Sequence, residues 1–150
     1  IPMINRFVSA LSFVMLLASS IGSAVAQESL GEKKIWREQE TYLAGEGADM
    51  KERCGKDIPA SFDKPSYKGQ LEGNYSVYGY CGELYSALRS ICADPDGKAA
   101  VNEKINKLEC AFGGKGKRAL SLSGGTLKMI IDWDASNYGD FINAWLLKNL

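Results

Sequence analysis

Apolar residues recur along the chain first with a helical period and later with a strand period. From Leu30 to Cys54 the spacing predicts a helix. Trp36, Leu43 and Met50 repeat every seven residues, Ile35 and Tyr42 stand alongside, and Cys54 follows Met50 by four. Gly45 and Gly47 interrupt the run, each costing about 1 kcal/mol relative to Ala, so a kink or a split into two helices is expected. Residues 55 to 75 carry Pro59, Pro65, Gly69 and Gly73 without a sustained period, which reads as a long loop with room for one short helical turn. A second helix is predicted from about Tyr78 to Cys92, where Cys81, Leu84, Tyr85, Leu88 and Cys92 form one stripe. Pro95 and Gly97 punctuate a tight turn. A third helix is expected over Lys98 to Leu108, with Val101, Ile105, Leu108 and Phe112 on one face.

After the glycine-rich linker "GGKGK" (113–117) the period changes. Leu120 and Leu122 alternate with small or polar residues, as do Leu127, Met129, Ile131 and Trp133, and Gly124-Gly125 between the two runs predicts a two-residue hairpin turn with positive φ. A lone hairpin is marginal in water, so its apolar face is expected to lie on the helices. Tyr138, Phe141, Ile142, Trp145 and Leu146 share a face of a closing helix. Trp36, Trp133 and Trp145 each fall on an apolar stripe and read as core.

The N-terminus reads as a processing signal. Met3 is the expected start. The apolar run Phe7–Ala18 is of signal-peptide length, and Ala24-Val25-Ala26 matches the A-x-A cleavage pattern. Cleavage after Ala26 leaves residues 27–150 as a single domain with one core. Removal of Arg6 with the signal leaves the acidic residues one ahead of the basic ones. A near-neutral chain lacks the basic field that nucleic acid or an anionic membrane surface attracts.

Cys54, Cys81, Cys92 and Cys110 all follow the signal, and an even count there reads as two disulfides formed in a secreted or periplasmic setting. Zinc is disfavoured, because the chain has no histidine and its cysteines form no C-x-x-C knuckle. Cys81 and Cys92 lie roughly 16 Å apart along one helix, out of bonding reach, so two pairings remain. If the second and third helices form an antiparallel hairpin, Cys81 faces a residue near 109. That favours Cys81–Cys110 with Cys54–Cys92. Cys110 then has to lie just beyond the third helix, since a continued helix would point it away from Val101.

The lack of histidine excludes the Ser-His-Asp and Cys-His nucleophile systems. Ser61-Phe62-Asp63-Lys64 matches S-x-x-K, but Pro65 follows and neither partner motif is present. "GGKGKR" departs from a phosphate-binding loop at Ala111 and Arg118. Asn74-Tyr75-Ser76 is a glycosylation sequon. In "DWDASNYGDF" the oxygen-bearing Asp132, Asp134, Ser136 and Asp140 fall at alternate positions of an EF-hand-like calcium loop. The sixth position is Asn137 rather than Gly, and the twelfth is Asn143 rather than Glu. A strand end followed by a helix capped by Ser136 or Asn137, with Asp140 at its positive end, accounts for the same residues and is preferred. No metal or cofactor is assigned.

"YKGQLEGNYSVYGY" (67–80) interleaves tyrosines with Gly, Ser and Asn, the composition of binding loops. The alternative for these rings is to cover the helix pair. The expected fold is α+β: a helical hairpin core with an N-terminal helix, a C-terminal β-hairpin and a final helix, stapled by two disulfides. The expected function is non-catalytic binding, of inhibitor or immunity type, to a protein or cell-envelope component. The expected contacts are Tyr67, Tyr75, Tyr78, Tyr80, Lys68 and Arg89. A small carboxylate-dependent hydrolase of glycan or peptidoglycan and a calcium-stabilised structural module are the alternatives.

Overall fold

Ser29 starts the first helix with a capping box. Its hydroxyl accepts the Glu32 N–H at 3.2 Å, while the Glu32 carboxylate accepts the Ser29 N–H at 2.9 Å. In the computed structural model, which describes residues 28–71 and 76–150, this helix (α1, Leu30–Cys54) runs without a break to Gly55, whose φ of 87° ends it. The signal-like segment and residues 72–75, with Asn74 and Tyr75, lie outside the described residues. The expected split into two helices does not occur. Gly47 serves a close crossing instead: a Cβ there would stand 3.2 Å from the Tyr85 hydroxyl and 3.3 Å from the Ile58 carbonyl oxygen. Trp36, Leu43, Gly47, Met50 and Cys54 are the buried residues of α1, a narrow stripe that leaves both flanks of the helix outside the core.

The long loop contains more order than its composition shows. A three-residue strand (β1, Ala60–Phe62) and a 3-10 turn (Lys64–Tyr67) occupy it. Helix α2 (Val77–Ile91) follows as predicted, and α3 (Pro95–Lys104) starts three residues early, with Pro95 inside its first turn and Asp94 accepting the N–H groups of Asp96 and Gly97.

The third helix then ends sooner than expected. Ile105 is extended, and Lys107–Phe112 forms strand β2. The apolar positions 101, 105 and 108 fit a helix, but Leu108 and Cys110 also alternate with outward Lys107 and Glu109. The strand reading wins because a partner is present: β2 pairs in parallel with β4 (Thr126–Ile131) from Lys107↔Thr126 to Phe112↔Ile131. Strand β3 (Ala119–Ser123) returns antiparallel to β4 through Gly124 and Gly125, at φ 55° and 77°. The hairpin is therefore part of a mixed sheet of order β1-β2-β4-β3 among the described residues, with β1 parallel to β2. Helix α4 (Tyr138–Asn149) closes the α+β fold.

The disulfides are Cys54–Cys92 and Cys81–Cys110, with Cα separations of 5.2 and 6.0 Å. The pairing matches expectation, and Cys110 does lie beyond the third helix, but it sits on strand β2 rather than opposite Cys81 in a helical hairpin. Two disulfides are consistent with an oxidising, extracytoplasmic compartment. No described helix is long and apolar enough to cross a membrane.

Candidate functional site

The expected tyrosines disperse into three environments. Tyr67 is wholly enclosed, and the expectation that it contacts a partner is corrected. Its ring lies 5.4 Å from Trp36 and about as close to Phe62, Phe112 and Trp133, so the 3-10 turn tucks it beneath the sheet edge as core. Its hydroxyl finds no hydrogen-bond partner, and burial pushes its pKa well above the ordinary tyrosine value. Tyr80 is half-buried, its ring 5.1 Å from both Trp133 and Tyr138. Tyr75 lies outside the described residues.

Among the described tyrosines of this run, Tyr78 joins a surface aromatic feature. Its ring stacks on Tyr42 at 4.3 Å and 17°, and Tyr42 is 57 % exposed. The stack follows from local geometry. Ser76, at the start of α2, makes no side-chain cap bond; Gln39 of α1 accepts the Tyr78 N–H at 2.7 Å instead. Gln39 and Tyr42 are three apart on α1, so the residue that caps α2 also brings the two rings together. About three turns along α2 from Tyr78, Arg89 donates to Glu46, itself one turn past Tyr42 on α1, and lies 3.4 Å from Asp49. Between the rings and this ion pair runs a groove of about 230 Å³, lined by Tyr42, Glu46, Tyr78, Gly82, Glu83 and Arg89. Nothing lies within 4 Å of a Cβ built at Gly82, so packing does not require glycine there. Lys68 is exposed beyond the 3-10 turn and does not line this groove.

The stretch 132–140 forms a hydrogen-bonded turn. Asp132 is buried, and its two carboxylate oxygens accept the Gly116 N–H at 2.7 Å and the Asp134 N–H at 2.9 Å. The Tyr138 hydroxyl accepts the Asp132 N–H and donates to the Asp132 carbonyl, both at 2.9 Å. Both carboxylate oxygens are thus engaged by backbone N–H groups of the chain. Asp134, Ser136 and Asp140 are exposed, and among the described residues no three His, Cys, Asp or Glu side chains group as a metal site. Neither Ser136 nor Asn137 caps α4 with its side chain. Asn137 takes the N-cap position with a left-handed backbone, φ 57°. Arg118 donates to the Ser136 carbonyl and lies over the Phe141 ring at 4.3 Å.

Carboxylates converge at Glu46–Arg89–Asp49 and at Asp63–Lys128–Glu109. In the latter, Lys128 Nζ stands 2.6 Å from Glu109 and 3.8 Å from Asp63. Each pair has a cation between its members, filling the gap that a glycosidase leaves for water or sugar.

Sequence reasoning placed Tyr42 beside the core stripe and missed it as a surface residue. Its position is one helical step, 100°, from Leu43, which could have signalled the flank. Gln39 gave no such signal, because its role depends on where α2 begins. Comparisons with protein-family models, with curated proteins and with solved structures find no match.

Proposed function

We propose that the chain is a secreted or periplasmic, non-catalytic binding protein that recognises a protein or cell-envelope component through the α1–α2 surface. The observation that carries this reading is the exposed Tyr42 ring stacked on Tyr78 above a groove edged by Arg89. Such amphipathic rings give contact area at small entropic cost, and an arginine beside them is the composition of an interface centre. Gly82 supports it too. In mid-helix it costs about 1 kcal/mol relative to Ala, and its missing side chain leaves the groove open. Tyr80 and Lys68 belong to the periphery, and Tyr67 acts by supporting the core.

A photo-crosslinking residue in place of Tyr42, expressed through the secretory route, tests this. The expected result is one dominant adduct with an envelope component, absent when the same residue replaces Glu52 on the solvent side of α1. Gly82→Leu, which fills the groove while favouring the helix, should remove the adduct and leave the thermal melt intact. Equal adducts from positions 42 and 52 would overturn the reading.

A further inference from the structure

Hairpin geometry sets which backbone groups of β3 point outward. A two-residue turn makes Ser123 and Thr126 a hydrogen-bonded pair, and the alternation continues through Ser121↔Lys128 and Ala119↔Ile130. The N–H and C=O groups of Leu120 and Leu122 therefore face away from β4. The opposite parity of β4 agrees, since Gly125 turns its carbonyl to the N–H groups of Asn106 and Lys107 beside β2. Because β3 ends the sheet, these outward groups have no strand beside them among the described residues.

The two sheet edges are treated differently. The outer edge of β1 is three residues long and flanked by α1. The Ile58 carbonyl just before it accepts the Tyr85 hydroxyl at 2.7 Å, and Lys64 just after it pairs with Glu40 of α1 at 2.7 Å. Shortness and cover are ordinary guards against pairing. By contrast Ala119–Ser123 contains no charge and no proline, and its register with β4 has no bulge. The cation next to it in sequence, Arg118, is turned onto Phe141 and the Ser136 carbonyl, and Lys128, opposite Ser121 on β4, is drawn to Glu109 on β2. Leu120 and Leu122 pack on the core yet remain half-exposed at this edge.

From this geometry we infer that β3 pairs antiparallel with β3 of a second copy of the chain, making one sheet of eight strands. The two-fold axis passes between the two Ser121 residues, and Leu120 of one copy bonds with Leu122 of the other in both directions. On the helix-bearing face, the exposed leucine of each copy meets its counterpart. On the other face, Ser121 meets Ser121 and Ala119 meets Ser123, small enough to meet without a clash. Charge selects the direction. A parallel pair would place the two basic loops, Lys115 and Lys117 with Lys115 and Lys117, side by side, whereas the antiparallel pair sends them to opposite ends. The near balance of acidic and basic residues adds little net repulsion between copies.

The test is sedimentation equilibrium of the oxidised protein, parent and variants, up to about 1 mM, the weak limit at which such a contact should still register. Ser121 is exposed and stands opposite Lys128 within the hairpin, so Ser121→Lys should lower the melt slightly and Ser121→Glu raise it slightly, while each places like charges across the axis. Each should weaken dimerisation about fivefold, and mixing the two variants should restore it. Amide exchange at Leu120 and Leu122 should slow as protein concentration rises. A parent that stays monomeric throughout, or variants that dimerise as the parent does, would overturn the pairing. The crosslinking from position 42 is indifferent to either outcome.

Discussion

Replacing Asp132 separates a hydrogen-bonding role from a cation-binding one. Its carboxylate accepts two backbone N–H groups, from Gly116 in the glycine-rich linker and from Asp134 in the turn before α4. A hydrogen bond to a charged acceptor contributes about 1.5–3 kcal/mol. Gly116 is exposed and can rehydrate once freed, so the lower part of that range applies to its bond. Asp132→Ala should then destabilise the protein by about 3–4.5 kcal/mol. At about 4 °C per kcal/mol for a domain of this size, the melting temperature should drop by about 12–18 °C. Asp132→Asn keeps a carbonyl acceptor for one of the two N–H groups and should lose about half as much. The assay is a thermal melt of each variant in excess EDTA and again in millimolar calcium, with the two curves of every protein superimposed. A cation held only by the folded state, at a hundred times its dissociation constant, adds about 2.7 kcal/mol. A calcium-dependent rise of that size in the parent, abolished by Asp132→Ala, would refute the hydrogen-bond account. So would an Asp132→Ala variant as stable as the parent.

Three further outcomes follow from the packing. Converting Cys54 and Cys92, or Cys81 and Cys110, to alanine should cost about 3.5–4 kcal/mol per pair in urea unfolding, from the loop entropy of sequence separations of 38 and 29. Burial raises the pKa of Tyr67, Tyr85 and Tyr138 in the folded state above the unfolded value of about 10. Folding therefore binds their protons more tightly, and the associated stability is complete below pH 10 and lost as pH climbs past it. Absorbance at 295 nm should show these three rings titrating above the ordinary tyrosine range of about 10. Gly97→Ala would put a Cβ 2.4 Å from the Ile91 carbonyl oxygen, and should lower stability by about 2 kcal/mol or more in urea unfolding.

Where the chain's own pattern decided an element, the sequence was readable. The stripe of α2, the hairpin at Gly124-Gly125 and the alternation of β4 each have a single period and a clear terminator. Residues 105–112 satisfied two periods at once, and only contact with β4, fourteen residues or more downstream, decided between them. Strand β1 was hidden for a related reason. Three residues carry no period, and their strand character comes from pairing with β2. The candidate site was less legible than the fold. Tyr67 and Tyr78 belong to one tyrosine-rich run, yet the turn at Lys64–Tyr67 buries the first while the Gln39 cap holds the second against Tyr42. Composition predicts that rings are present, but element boundaries decide which way they face.

The disulfides bear on binding through α2. Cys81 ties its first turn down to the sheet, and Cys92 at its end ties it across to the end of α1. Both helices that form the groove are therefore fixed at or near an end, and the capping bond from Gln39 closes the opposite end of the α1–α2 pair. A groove between two such helices changes little in shape when occupied, so the free energy of ordering is already met in folding rather than at association. Reduction should then weaken binding before it unfolds the protein. Opening Cys54–Cys92 frees the end of the α1–α2 pair that carries Asp49 of α1 and Arg89 of α2 without exposing the rings, whereas opening Cys81–Cys110 loosens the part of α2 that carries Tyr78. A variant lacking only the second disulfide should thus lose more partner affinity than one lacking only the first, although the two lose similar global stability. Equal affinity losses would mean that the rings and the ion pair do not act as separately supported parts of the surface.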